Sequence, residues 1–188
     1  ELGPKLRDLL LDVEYATARR SIQYAHYTAE DVVRSMWDAV VKMGFSGGQV
    51  FEPGMGIGNF AGMMPQDVAT NTHYQGIELD HITARIAKLL YPKYGVRQDD
   101  FTKTKLPENS YDLVIGNPLD AARPGGLLAF VTSAGTMNKM DPAAREYFAD
   151  RADLVGAIRL PGDAFMKNAG TMVTTDIIFL RKRLPGDV

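Results

Sequence analysis

From Gly48 onward, short runs rich in β-forming residues alternate with stretches of helical periodicity, and this alternation most constrains the fold. The β-rich runs lie at residues 49–52, 74–78, 96–99, 111–115, 127–132, 154–160 and 174–180. Helical patterns separate several of these runs, most clearly at 81–91 and 142–150. Strands that alternate with helices form open, mostly parallel sheets covered by helices. The sequence therefore predicts an α/β fold with a seven-stranded, doubly wound sheet and helices on both faces.

An amphipathic helix is predicted ahead of the sheet, at residues 28–43. Its apolar positions are Val32, Val33, Met36, Trp37, Val40 and Val41, which share one helical face. Thr28 occupies the expected N-cap position. Trp37 is expected in the core. We expect a helical segment, 1–46, that packs on a domain formed by 47–188, so that the chain makes one compact unit.

The connection between the fourth and fifth predicted strands is short. Parallel neighbours need a crossover of a dozen or more residues, usually with a helix. Residues 116–126 contain two prolines and a glycine pair, which exclude a regular helix there. Either the two strands are antiparallel, or residues are absent from the sequence between Pro118 and Leu119. The second alternative is favoured.

Composition and charge exclude several classes of functional site. The chain has 188 residues, no cysteine and a formal net charge of −2. Absence of cysteine excludes disulfides, thiolate zinc sites and cysteine nucleophiles, and fits a reducing compartment. A balanced charge predicts that any nucleic-acid contact uses a local basic surface or another domain. The basic run at 181–183 is expected to be a solvated strand end.

No apolar run is long enough for a membrane span, and residues 1–10 do not resemble a signal peptide. We expect a cytoplasmic protein with no membrane partner.

A glycine-rich loop follows the first predicted strand. Residues 52–60 read EPGMGIGNF, with glycines at positions 54, 56 and 58. Glycines at alternate positions let the backbone turn sharply and approach a ligand closely. Gly56-x-Gly58-x-x-Ala61 also fits a dinucleotide fingerprint, so the loop alone leaves a nicotinamide dehydrogenase open. A plain strand-to-helix turn is the other alternative.

Polar residues end the next three predicted strands. Glu78, twenty residues beyond Gly58, can accept the ribose hydroxyls of an adenosine-type cofactor. Asp100 is placed to accept an adenine amino hydrogen, with Phe101 beside the ring. Asn117, followed by Pro118, can present its amide to a planar polar group. Each of these residues alone also fits a cap or a turn.

Together these motifs resemble those of the S-adenosylmethionine-dependent adenine-N6 DNA methyltransferases. The shared patterns are Glu-Pro-x-x-Gly-x-Gly-x-Phe at 52–60, Gly-Ile-Glu-Leu-Asp at 76–80, Asp-Asp-Phe at 99–101 and Asp-x-x-x-x-Asn-Pro at 112–118. The chain is most similar to type I modification subunits, and closer still to the methylase module of large plasmid- or phage-borne helicase–methyltransferase proteins. The resemblance covers about residues 24–183. It implies a Rossmann-like class I methyltransferase fold.

The resemblance also implies roles for single residues. The cofactor S-adenosyl-L-methionine would be bound by Tyr27, Thr28, Glu52, Pro53, Gly54, Gly56, Gly58, Phe60, Glu78, Leu79, Asp100 and Phe101. Asn117 and the Pro118 carbonyl would hold the amino group of a flipped adenine for direct attack on the methyl group, with no metal. Phe165 would lie beside that base. Leu119 and Asp120 depart from the family pattern, which continues with a second proline and an aromatic residue.

The resemblance favours methylation of adenine N6 in DNA, with additional domains or subunits recognising the DNA sequence. RNA bases and protein glutamine remain alternative substrates. A catalytically inactive cofactor-binding module is a further alternative. A nicotinamide dehydrogenase would leave Asn117 and Asp100 unexplained.

The short crossover and the interrupted motif fall at one place, and both indicate residues absent after Pro118. We therefore predict that the purified natural polypeptide is heavier than the 20.7 kDa of this sequence. Intact mass spectrometry with peptide mapping across Pro118 checks this. A contiguous Pro118–Leu119 peptide at 20.7 kDa would contradict it.

Overall fold

The computed structural model describes residues 7–16, 28–116, 119–166 and 172–187. The strands are β1 Gly48–Pro53, β2 Thr72–Glu78, β3 Gly95–Gln98, β4 Tyr111–Ile115, β5 Ala122–Ser133, β6 Ala152–Arg159 and β7 Thr175–Lys182. The helices are α1 Glu30–Lys42, α2 Asn59–Gly62, α3 Gln66–Ala69, α4 His81–Leu90, α5 Gly135–Asn138 and α6 Ala143–Ala149, with a 3₁₀ turn at Leu119–Ala121. Residues 7–9 and 12–16 are also helical. Across these ranges, no helix is long and apolar enough to cross a membrane.

The seven strands form one sheet in the order β3-β2-β1-β4-β5-β7-β6. The first five pair in parallel, and β7 runs antiparallel to both β5 and β6. The prediction of a seven-stranded, mostly parallel sheet is confirmed. Because the parallel strands share one direction, the carboxyl ends of β1 to β4 meet at a single edge of the sheet.

Hydrophobic clusters cover both faces of this sheet, as predicted. On one face α1, α2 and α4 contribute Trp37, Phe60 and Ala87 to a core with the strands. On the other face the 3₁₀ turn contributes Leu119, while Phe148 of α6 packs against the same cluster. The central strands are therefore covered on both sides, whereas most side chains of the edge strand β6 are exposed.

The short connection joins a parallel pair. Tyr111 pairs with Ala122 and Leu113 with Leu127 in parallel register, so the antiparallel alternative is wrong. β5 begins earlier than predicted, at Ala122, so the connection is even shorter in sequence than the prediction assumed. Absence of residues after Pro118 stays a prediction, since Pro118 lies outside the described residues.

Helix α1 forms where periodicity predicts, but its cap differs. The N-cap is Ala29, and its side chain makes no capping hydrogen bond, so Thr28 is not the cap. The predicted apolar face is buried except for Val41, which is only partly covered. Trp37 is 2% exposed and its Nε1 donates to the Phe60 carbonyl at 2.9 Å. This bond ties α1 to the helix that follows the glycine loop.

Helix α4 buries a different face from the one its large apolar residues suggest. Its buried side chains are Thr83, Ala84 and Ala87, whereas Ile86 and Leu89 are exposed. Small side chains let a helix pack closely on the sheet. This close packing leaves the larger apolar side chains of α4 on its exposed face. The α4 helix therefore lies close to β2 and β3.

The basic run at the end of β7 is structural, and the prediction of a solvated strand end is wrong. Arg181 donates to the carbonyls of Gly125 and Met43 at 3.3 and 3.1 Å. Lys182 Nζ donates to the Ala122 carbonyl at 2.8 Å, and Arg183 pairs with Asp153 at 2.8 Å. These cations fasten the turns at the amino edge of the sheet.

Asp112 fastens the same amino edge. Its Oδ2 accepts from the Gln49 backbone N–H at 2.7 Å, and Arg123 pairs with its Oδ1. Gly48 has a φ of 130°, which residues with a side chain rarely adopt, and a Cβ there would also meet the Asp112 carboxylate. The first residue of the Asp-x-x-x-x-Asn-Pro pattern thus has a structural role.

We predict that Asp112→Ala lowers the free energy of unfolding by about 1–3 kcal/mol, because it leaves the partly buried Gln49 backbone N–H without its partner. The matched control is Asp153→Ala, whose carboxylate is 61% exposed and pairs with Arg183. That change should cost no more than about 1 kcal/mol. Urea unfolding of both variants checks the difference, and equal losses would contradict it.

Candidate functional site

The carboxyl edge of the sheet brings the predicted cofactor residues together. Pro53 pairs with Ile77 at the ends of β1 and β2, and Glu78 pairs with Gln98 at the ends of β2 and β3. The Asp99 backbone N–H donates to the Glu78 carbonyl at 3.0 Å. The glycine loop, Glu78 and the turn that holds Asp100 are therefore neighbours.

The glycine loop has the sharp backbone predicted for it. Gly54, Gly56 and Gly58 have φ values of 67°, 59° and 89°. Residues other than glycine adopt such positive φ values only at a cost in free energy. The Gly56 N–H donates to Glu78 Oε2 at 2.8 Å. The Asp80 N–H donates to Glu78 Oε1, also at 2.8 Å. Glu78 thus anchors the loop as well as facing the edge, a role that its spacing did not reveal.

Asp100 is held as an ionised acceptor. Its Oδ1 accepts from the N–H and the hydroxyl of Thr102, and its Oδ2 pairs with Lys103 at 3.0 Å. The Thr102 hydroxyl bond, followed by the Lys103 bond, holds the pKa of Asp100 below its usual value. Phe101 and Leu79 are 40% and 66% exposed, so two apolar side chains flank this turn.

Glu52 is buried beneath the loop. It is 4% exposed, and the Tyr74 hydroxyl donates to its Oε2 at 2.5 Å. Burial raises the pKa of Glu52 to about 8, helped by the nearby Glu78 charge and opposed by the Tyr74 hydrogen bond. The protonated, neutral form of this carboxyl therefore predominates at pH 7.

The other predicted cofactor residues have different surroundings. Pro53 ends β1 and is partly buried, as is Thr28 ahead of α1. Phe60 is buried in the core at 9% exposure, below the loop. Tyr27 lies outside the described residues.

Of the three residues predicted to contact the substrate, the structure describes one. Asn117 and Pro118 lie outside the described residues, directly after the end of β4. Phe165 is placed in the turn after β6 and is 6% exposed. In this conformation its ring packs inside the protein.

Sequence reasoning missed a stack of tyrosines below the glycine loop. Tyr74 and Tyr94 stack with ring centroids 5.2 Å apart, and Tyr94 stacks on Tyr91 at 5.8 Å. The Tyr91 ring lies 2.5 Å from where a Gly58 Cβ would stand. The spacing of Tyr91 and Tyr94 at the end of α4 was the available signal.

Sequence reasoning also missed an ion pair at the end of β6, at the carboxyl edge of the sheet. Arg159 donates from Nε and Nη2 to the two oxygens of Asp176, at 2.9 and 3.0 Å. Asp176 is 3% exposed, and Asn138 accepts from the same guanidinium at 3.1 Å. This pair fixes the junction of β6, β7 and α5. Within the described ranges, no group of three or more potential metal ligands occurs.

Comparison of the sequence with known families and with curated proteins gives no match. Comparison of the structure with solved structures gives many. One is a protein from Listeria monocytogenes described as a class I S-adenosylmethionine-dependent methyltransferase, with a TM-score of 0.65 and 17% identity over 85% of this chain and 60% of that one. Another is the methyltransferase subunit of a type I restriction-modification system from Streptococcus thermophilus, with a TM-score of 0.67 and 16% identity over 85% of this chain and 45% of that one.

A third similar structure is geranyl diphosphate methyltransferase in complex with S-adenosylmethionine, with a TM-score of 0.58 and 12% identity over 82% of this chain and 85% of that one. The present chain thus spans less than two thirds of the length of the first two proteins. Together with the strand order, these similarities show that the chain has the Rossmann-like class I methyltransferase fold.

We predict that Gly58→Ala destabilises the protein more than Gly54→Ala. Both glycines have positive φ, which costs alanine roughly 1–2 kcal/mol. Only Gly58 also faces the Tyr91 ring, which adds about 1–3 kcal/mol of overpacking, whereas the space at Gly54 is open. Urea unfolding measures both, and a Tyr91→Ala background should remove the difference. A difference that persists there would contradict the explanation.

Proposed function

We propose that the chain transfers a methyl group from S-adenosylmethionine to the N6 amino group of adenine in DNA, as one module of a larger protein. The observation that carries the proposal is the carboxyl edge of the sheet. There a glycine loop anchored on Glu78 lies beside the Asp100 turn, and β1 pairs with β4, whose sequence continues into Asn117-Pro118.

The described residues fit this cofactor. Glu78 uses both oxygens on backbone donors, and each oxygen retains a lone pair for a ribose hydroxyl. The ionised Asp100 can accept from an adenine amino group, while Phe101 and Leu79 offer apolar surface to its ring. The open space at Gly54 leaves room for a ligand against the loop. When bound, the cofactor supplies an electrophilic methyl group.

The chemistry required of the protein is orientation. Asn117 and the Pro118 carbonyl would accept the hydrogens of the target amino group, which directs the nitrogen lone pair at the methyl group. A paired adenine cannot present that nitrogen, so the base must leave the duplex first. Ile115 ends β4 next to the end of β1 and pairs with Ala129 inside β5, and Asn117 comes two residues later in the sequence.

DNA is favoured over RNA or protein as substrate by the motif resemblance and by the similarity to a type I modification subunit. The chain spans 45% of that subunit, so sequence recognition would be supplied by further domains or partners. The net charge of −2 is consistent with DNA contacts that are supplied mainly by such domains or partners.

One observation favours a second candidate, an inactive cofactor-binding module. Leu119, which follows Pro118 where the related motif continues with a second proline, is 1% exposed within the core. A side chain packed there does not stack on a flipped base. A chain that truly continues from Pro118 to Leu119 would bind the cofactor without transferring the methyl group.

We predict that the natural full-length protein binds S-adenosylhomocysteine but not NAD, and that methyl-labelled cofactor marks adenine N6 in DNA. Nucleoside mass spectrometry of digested DNA, with RNA and protein offered in parallel, locates the label.

Asn117→Ala should lower methyl transfer by at least about a hundredfold while leaving cofactor affinity within about twofold, because the change removes only the group that orients the target amino group.

The matched control is Asn71→Ala, at the opposite edge of the sheet before β2. It should keep both cofactor binding and transfer. Label on RNA or on protein glutamine would contradict the DNA assignment. Binding without any transfer would instead support the inactive module.

A further inference from the structure

We propose that Tyr74 is a positioning residue: its hydroxyl holds the Glu52 carboxyl beneath the glycine loop, where that carboxyl can pair with the cationic end of a bound cofactor. This inference rests on the proposed function and adds a regulation of the same site by pH. It assigns a task to the tyrosine stack that neither the glycine pattern nor the strand-end acids explain.

The contact is short and enclosed. Tyr74 pairs with Val50 in the sheet, two residues before Glu52, so both side chains lie on the same face of β1 and β2. Tyr74 is 2% exposed and Glu52 is 4% exposed. The hydroxyl donates to Oε2 at 2.5 Å and fixes which oxygen remains available to another partner.

The tyrosine stack links this pair to the loop that would hold the cofactor. Tyr94 lies between Tyr74 and Tyr91, with interplanar angles of 28° and 17°. Tyr91 in turn packs against the backbone at Gly58 and Gly62, where side chains would collide with it. The position of the Glu52 carboxyl is therefore set relative to the loop by a chain of packed rings.

Burial, with no cation among the groups that act on it, favours the neutral form of Glu52 in the free protein. The titratable groups that act on it are the Tyr74 and Tyr91 hydroxyls and the Glu78 carboxylate. None of these is a cation, and burial raises the pKa of Glu52 to about 8. The ammonium of a methionine-like ligand would supply the missing positive charge. On binding, Glu52 would then release its proton to solvent as it becomes a carboxylate.

The test is calorimetric titration with S-adenosylhomocysteine between pH 6 and 9.5. Because binding releases a proton below the pKa of free Glu52, wild-type affinity should rise up to about tenfold per pH unit and level off above pH 8. Tyr74→Phe loses the hydrogen bond that lowers this pKa. Its affinity should fall about tenfold at pH 7, with the plateau displaced upward by about one pH unit, and should approach wild type at the alkaline end.

Two further variants separate positioning from packing. Glu52→Gln cannot ionise, so its affinity should be lower and independent of pH over the range in which Glu52 titrates. Tyr111→Phe is the matched control, since its buried ring lies on the other face of the sheet and its hydroxyl donates to Gln75 at 3.0 Å. It should reproduce the wild-type profile.

Unfolding of the free protein gives an independent readout. The folded pKa of Glu52 is raised above the unfolded value of 4.5, so its contribution to stability is fully present below pH 4.5 and is lost as the pH rises to about 8. Urea midpoints should therefore decline over that window in the wild type and less so in Glu52→Gln.

Several outcomes would overturn the inference. A wild-type affinity that is flat with pH, or a Tyr74→Phe loss that is equal at every pH, would leave Tyr74 a packing residue only. Those outcomes leave the proposed function intact. Failure of the wild type to bind the cofactor at any pH would reject the proposed function as well.

Discussion

The two hydrogen bonds that Glu78 accepts at the end of β2 organise the candidate site. One comes from the glycine loop after β1 and the other from the turn that starts α4. Backbone donors directed at one carboxylate hold both turns in place without occupying all of its acceptor positions. The open face of the carboxyl edge, where a ligand would lie, depends on this shared anchor.

Two carboxyl groups near the loop have opposite surroundings. Glu78 is partly exposed and bonded to backbone donors, whereas Glu52 is buried with a tyrosine as its hydrogen-bond donor. Burial raises the pKa of Glu52 to about 8, so the surroundings of this carboxyl, and not its residue type, set its charge near neutral pH. A buried carboxyl that becomes charged when a positive group approaches can distinguish a ligand with a cationic end from a neutral one.

Particular elements explain how far sequence reasoning reached. Most strands were predictable because they are short β-rich runs bounded by turn residues, although β5 begins at Ala122, ahead of its predicted start at 127. Helix α1 was predictable because its stripe from Val32 to Val40 follows one helical face. The buried face of α4 was not predictable, because Thr83, Ala84 and Ala87 face the sheet through close approach and not through hydrophobicity. The basic residues at 181–183 looked like surface charges until the fold placed carbonyls and Asp153 beside them.

By itself, the sequence determined the order of strands and helices, the positions where only glycine fits and the acids that end successive strands. These are local properties, since φ preferences and periodicity act over a few residues. Only the tertiary structure decided that β4 and β5 are parallel, that Glu52 meets Tyr74 and that the tyrosine stack reaches the glycine loop. Those contacts join residues distant in the chain, and their strength comes from burial and low dielectric, which exist only after folding.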